Sequence, residues 1–452
     1  MNIIKYFFCV SLLCIVASAS AAVSEEEASR LGKDLTPTGA EMAGNAAGTI
    51  PPWTGGLSKD SGKSDNDFLE DPFANEKPLF IITSQNLEKY KSNLSEGQVA
   101  LFKRYPETYR MLVYPSHRTT ALPDRIYKAI KISALKTETL EGGSGLKGFS
   151  ESRYYAFPIP QSGLEAIWNH ITRYRGGTFR RSVVQVTPQA SGDYTVIRFE
   201  DKVGFPDGLK DMGGDSSNVL LYYTQRVTSP SRLAGNVLLV HESIDQITEP
   251  RAAWQYNAGQ RRVRRAPQVA YDGPGTAADG LATTDNFDMY NGAPNRYEWR
   301  LIGKRELYIP YNNYKLASNG LKYSDIVKPG HTNQDLARYE LHRVWEVEAS
   351  LKQGERHIYA KRRFFLDEDS WQIALSEQYD ARGQLWRVGQ AMLIQQYKAQ
   401  VPMYAFETLN DLIAGRYLAI GMNNEEKHGV EYGIGLSSSE FTPAALRNSG
   451  VR

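Results

Sequence analysis

The side chains most able to do chemistry here fall into four groups. Arg251, Arg261, Arg262, Arg264 and Arg265 lie within fifteen residues of one another, around Trp254 and Tyr256. Guanidinium forks hold carboxylates and phosphates bidentately. In a strand, Arg261 and Arg265 would share one face, Arg262 and Arg264 the other. Pairing with cross-strand Glu and Asp is the simpler reading; an anion, lipid head-group or partner site is the sharper one. Trp254, Trp299, Trp345, Trp371 and Trp386 sit in stretches that read as strands. Singly they read as core; facing inward together, they would line a cavity for acyl or sterol-like ligands. About 15 methylenes leaving water would yield ~12 kcal/mol gross at ~0.8 kcal/mol each, much of it lost to immobilisation.

Asp272, Asp279, Asp285 and Asp288 crowd one Gly/Asn/Pro-rich stretch without the register of a calcium loop, so they read as turn formers. None of His117, His170, His241, His331, His342, His357 and His428 has metal-ligand spacing. His342 is expected on the polar face of a strand. His-Glu-x-x-His and Walker patterns are absent, and Gly142-Gly143-Ser144-Gly145-Leu146 fails a nucleophile elbow at its last position. The expectation is a non-catalytic protein with no metal and no cofactor.

The ends suggest a compartment. Lys5, the apolar run Tyr6–Val16 and Ala19-Ser20-Ala21 read as a cleavable signal peptide over 1–21, and so as a periplasmic protein. Cys9 and Cys14, the chain's two cysteines, fall inside it, leaving the mature chain without disulfide or thiolate chemistry. A net charge of +2, or +1 without Lys5, gives no bulk case for nucleic acid. No later stretch approaches the length of a membrane span.

The positioning elements follow from periodicity. Residues 22–78 read as an extended leader with a short helix at 25–31, and 79–178 as a helical segment. Candidate helices are 85–94, 95–109 and 125–140. The clearest helix follows Ser162-x-x-Glu165, a capping box, with Leu164, Ile167, Trp168 and Ile171 on one stripe. From 179 to 452 the period becomes two. Tyr339–Leu351 alternates apolar odd with polar even positions, as a half-buried strand with one wet face. Arg356–Leu366, a strand through Trp371 and Tyr379, and Leu385–Gln396 follow, joined by short Asp-rich turns that force antiparallel neighbours. The expected fold is mainly β with helices (α+β). It is a curled antiparallel sheet or half-open barrel of about 10–11 strands with plugging helices, and residues 271–296 form a long loop, read as a lid.

Several phrases carry a family resemblance. They are Leu35-Thr36-Pro37-x-Gly39-Ala40-Glu41 with Ala43-Gly44-Asn45 and Gly48-Thr49-Ile50-Pro51, Phe157-Pro158-Ile159-Pro160 with Trp168-Asn169-His170, and Arg261–Pro267. Tyr308–Asn312, Arg338–Trp345 and Leu366–Trp371 complete the set. Together they resemble a proteobacterial periplasmic family of unknown function grouped with outer-membrane lipoprotein-sorting proteins. The order of strands and turns over 356–396 is similar to the LolA/LolB-like fold. The resemblance implies an antiparallel sheet curled around helices and an apolar cavity. It also implies a genomic association with outer-membrane channel-like proteins and resistance-nodulation-division exporters. The expected function is binding and transfer of a hydrophobic ligand (a lipid, acyl chain or lipoprotein-like cargo) linked to the outer membrane or an efflux system. The alternative is a structural adaptor that docks an outer-membrane or transporter partner without a ligand cavity.

Overall fold

The computed structural model describes residues 22–149, 152–212, 218–246, 248–266 and 271–450. The signal peptide expected at 1–21 lies outside them. Sixteen strands form the main sheet. In chain order they are β1 (Phe80–Ile82), β2 (Met111–Val113), β3 (Thr178–Val186), β4 (Ile197–Gly204), β5 (Val219–Ser229), β6 (Val237–Ser243), β7 (Ala252–Asn257) and β8 (Arg262–Arg265). After the long loop come β9 (Tyr297–Pro310), β10 (Tyr339–Leu351), β11 (Lys361–Asp367), β12 (Ile373–Tyr379), β13 (Leu385–Gln396), β14 (Val401–Asp411), β15 (Arg416–Met422) and β16 (Glu431–Tyr432).

Consecutive strands pair antiparallel from β3 to β8 in one meander and from β10 to β15 in another, with β9 paired to β10. The two meet where β15 pairs antiparallel to β3 (Ala419 opposite Val186). The spatial order therefore runs from β8 to β3, then β15 back to β10 and β9, leaving β8 and β9 as outer strands. The sheet is curled and not closed. β2 adds parallel to β10 at Tyr339, and β1 pairs with β2.

Helices cover both faces. The helix α1 (Glu25–Ala28) is followed by α2 (Leu87–Tyr90), α3 (Glu96–Arg104), α4 (Asp124–Lys136) and α5 (Gly163–Thr172). In α5 the Ser162 hydroxyl accepts from Glu165 N, while the Glu165 carboxylate reaches Gln161 N. Ile167, Trp168 and Ile171 are buried against the sheet beside Val344, Val347 and Phe364. Each such side chain contributes about 1.5–3 kcal/mol relative to exposure. On the other side Val99, Leu101 and Phe102 of α3 join Val388, Met392 and Phe406 in a second core.

The leader is laid along the body. Gly39 has φ +94°, and a Cβ there would fall 1.8 Å from Pro158 O, so only glycine permits this approach. Trp53 Nε1 donates to Thr120 O at 3.0 Å.

Four expectations need correction. Tyr339–Leu351 has almost no wet face: Glu340, His342 and Glu346 are buried, Glu348 is half-buried and Ser350 alone of the even positions is exposed, because the His117 amide and Asn312 bond Glu340 and Arg305 pairs with Glu346. Trp371 is not in a strand; it occupies the turn before β12 with φ +60°. The helices over 85–140 are shorter than expected and interrupted by β2. The strands β14 and β15 were not anticipated and raise the strand number. In β14 every residue is buried, so no alternation marks it, and Pro402 argues against a strand.

Candidate functional site

Residues 275–291 of the long loop lie over the sheet between its two halves and, with β3–β6, β14 and β15, enclose a cavity of about 130 Å³. Ligand pockets for drug-sized molecules run to roughly 300–1,000 Å³, whereas a dry cavity of about 150 Å³ accepts benzene. The hollow expected inside the sheet is thus present but compact. Its apolar wall includes Phe179, Val203, Leu221, Val240, Phe287, Met403 and Leu418.

Charged side chains are interleaved with it: Arg175, Arg181 and Arg251 line the cavity together with Glu242, Asp288 and Glu407, Arg181 two residues along β3 from Phe179 and Glu242 two along β6 from Val240. The C-terminus of α5 places the first of these: Arg173 donates to His170 O at 2.8 Å and Arg175 to Ile171 O at 2.7 Å, where free helix carbonyls favour cations. Both guanidinium groups then close on one carboxylate, Asp288, through Arg173 Nη2 to Oδ1 and Arg175 Nη1 to Oδ2 at 2.8 Å. Burial alone would raise Asp288, but the two arginines overcome it and hold its pKa at about 2. His170 locks the same loop residue: Nδ1 faces Ile373 N at 3.2 Å and Nε2 faces Asp288 O at 2.8 Å. Burial, reinforced by Arg173, drops His170 to about 3, so it stays neutral with Nε2–H as donor.

Arg181 pairs with Asp201 at 3.1 Å, and Arg251 with Glu242 at 2.6 Å. Glu407 differs. Its Oε1 is buried without a hydrogen-bond partner, as are the neighbouring Thr408 Oγ1 and the Nε of Arg175. Burial, with Asp288 nearby, pushes the Glu407 carboxyl well above its usual range. Unsatisfied buried polar atoms are rare in folded proteins and each costs about 1–3 kcal/mol. With Asn286 Nδ2, four such atoms belong to residues that line this one cavity.

A second charged cluster lies elsewhere, at the turn after β11. Arg118 grips Asp369 through two bonds of 2.9 and 2.6 Å. Arg343 binds Glu368 at 2.5 Å and also donates to the leader carbonyls of Glu41 and Ala43. Glu340 accepts from Arg338, from Asn312 Nδ2 and from His117 N, and contacts His342 Nε2 at 3.0 Å. The Trp371 indole donates to Thr38 O at 2.8 Å. His342, Asp367 and Asp369 bring ligand atoms within 4.8 Å of one another, close enough to share a cation. Arg118 already neutralises Asp369, and the Ser370 amide and hydroxyl already bind Asp367. The arrangement therefore reads as an ion-pair knot. Four of the sequence phrases singled out above converge on it: Leu35–Glu41, Tyr308–Asn312, Arg338–Trp345 and Leu366–Trp371.

The structure separates the candidate residues. None of the five tryptophans lines the cavity. Trp345 stacks on Trp371 at 6.1 Å, Trp299 lies against Tyr290 and Phe364, Trp386 against Tyr359, and Trp254 against His241. Of the arginines, Arg251 lines the cavity, while Arg261, Arg262, Arg264 and Arg265 are exposed at or beside the outer strand β8. Asp285, buried, bonds Arg362 at 2.6 Å and His357 at 3.0 Å, and Asp288 holds the loop as described; these two do more than shape turns. Asp272 and Asp279 remain in or beside the loop, Asp279 pairing with Arg416. Sequence reasoning missed Arg175, Arg181, Glu407 and Thr408. An acid directly after the apolar run 401–406 and an Arg-x-Arg just past a capped helix were the available signals.

No helix among the described residues is long and apolar enough to cross a membrane. A family model described as "Protein of unknown function (DUF1329)" matches residues 81–447. Uncharacterized protein PA3922 of Pseudomonas aeruginosa is 59% identical over 445 residues, covering 98% of this chain and 97% of that one. Among solved structures, a DUF1329 family protein from Desulfovibrio piger aligns over 60% of this chain and 92% of its own (14% identity, TM-score 0.41). A LolA superfamily protein from Nitrosomonas europaea aligns over 63% and 98% (11% identity, TM-score 0.37).

Proposed function

We propose that this chain, which belongs to the DUF1329 family of proteins of unknown function, is a periplasmic, non-catalytic binding protein for a hydrophobic small molecule or one segment of a lipid. The observation that carries this reading is the cavity between the sheet and residues 275–291, whose lining mixes apolar and charged side chains and includes residues with buried polar atoms that lack partners. Folding leaves such atoms unsatisfied at a cost, and a guest that pairs with them recovers it. A full acyl chain exceeds about 130 Å³, so entry of anything longer moves the loop outward. Transfer toward the outer membrane or an efflux transporter is the accompanying role.

Calorimetric titration of delipidated protein with octanoic acid and with octanol tests the reading. Saturable one-to-one binding of either supports it, and flat titrations with both remove it. A second reading, an adaptor for an outer-membrane or transporter partner, is favoured by the exposed arginines of β8. Reversing Arg262 and Arg264 to Glu would then reduce cross-linking to envelope proteins in cells while leaving octyl-ligand binding unchanged.

A further inference from the structure

We infer that the guest of this cavity carries a single carboxylate, or an equally compact monoanionic head, seated among the charged lining groups with its apolar part against Phe179, Leu221 and Met403. The inference rests on the cavity being a binding site, as proposed above, and names the chemical class it takes.

The charge arrangement points this way. Arg181 with Asp201 and Arg251 with Glu242 are one-to-one pairs. Arg173 and Arg175, by contrast, share the single carboxylate of Asp288. One guanidinium charge is therefore left to be balanced by something else. Glu407 is the only other acid lining the cavity, and it forms no ion pair among the described residues. Burial favours its neutral form. The surroundings of Glu407 that decide this are Arg173, Arg181 and Asp288. A neutral Glu407 leaves the wall one positive charge in excess in a low-dielectric setting, where an unpaired charge is expensive. Burial and the adjacent Arg173 also pull Arg175 below its ordinary value, the mark of a cation short of counter-charge.

The free hydrogen-bonding atoms match an anion. Arg175 Nε, the Thr408 hydroxyl and Asn286 Nδ2 are unpartnered donors on residues that line the cavity, and a protonated Glu407 adds a fourth. A carboxylate accepts up to about four hydrogen bonds through its two oxygens. An alcohol or ester satisfies fewer of these donors and brings no charge.

The test compares octanoate, octanol and methyl octanoate on the wild-type protein by calorimetry at neutral pH. A charge-assisted hydrogen bond is worth ~1.5–3 kcal/mol, so octanoate is expected to bind at least about tenfold tighter than either neutral analogue. Equal affinities for all three, or tighter binding of the neutral pair, overturn the inference and leave the binding function standing. Binding of none removes both. In Thr408→Val octanoate binding weakens several-fold, by roughly one hydrogen bond, and an octanoate affinity equal to wild type counts against the inference. Arg175→Gln abolishes the preference if it folds, as circular dichroism reports; if it does not, the wild-type panel and Thr408→Val still decide.

Discussion

The cavity wall and the knot at the turn after β11 are built from the same side chains and end in opposite states. Both bury arginines against acids, far from solvent. In the knot Arg118, Arg343 and Arg338 each meet a carboxylate of their own, and spare donors reach leader carbonyls. At the cavity two arginines share one aspartate while an adjacent glutamate stays unpaired. The difference teaches what each region is for. A network in which every arginine holds a carboxylate fixes the chain in one arrangement, here tying the leader to β10 and β11, although Asp367 Oδ1 is left without a partner. Arginines that must share a carboxylate keep binding capacity for something that arrives later.

The contrast breaks most visibly at Arg118. Arg118→Ala strands Asp369 in the interior and is expected to cost about 3–5 kcal/mol in chemical denaturation. A loss below about 1 kcal/mol would mean that the knot does not hold the leader. Asp367 gives a smaller, pH-dependent effect. Burial, aided by Asp369, pushes its carboxyl up to about 7 in the folded protein, against about 3.9 unfolded. The folded state thus favours the protonated form. That stability is fully present below about pH 4 and is lost as pH rises through about 7. Asp367→Asn should remove this loss, so the stability of wild type relative to the variant declines from pH 4 to 7 and then levels; a flat difference would refute the assignment. The smallest effect sharpens the comparison from the other side. Thr408→Val deletes an unpartnered buried hydroxyl, and the ligand-free protein should gain up to about 1 kcal/mol in the same denaturation experiment. Destabilisation by a similar amount would show that this hydroxyl already has a partner.

How much of this was legible depends on how local the signal is. Ser162-x-x-Glu165 and the stripe through Ile171 announced α5, and the two-residue period bounded Tyr339–Leu351 and Leu385–Gln396 as observed. Burial on both faces erased that period in β14. The polar face of β10 read as solvated because the partner of Glu340, the amide of His117, lies 223 residues away in sequence. For the same reason the cavity was invisible: Arg175 and Asp288 are separated by 113 residues and meet only because the loop crosses the sheet.

The strand order carries a kinetic meaning. The first long strand, β3, and the last, β15, lie side by side in the middle of the sheet, while the two outer strands are neighbours along the chain. Each meander zips up from nearby residues, but the junction at Val186 and Ala419 waits until nearly the whole polypeptide has been made. Pairings of such long separation form slowly. Until then both rims stand open to unwanted strand addition, so the interval before the seam shuts is when this molecule most needs protection from its own copies.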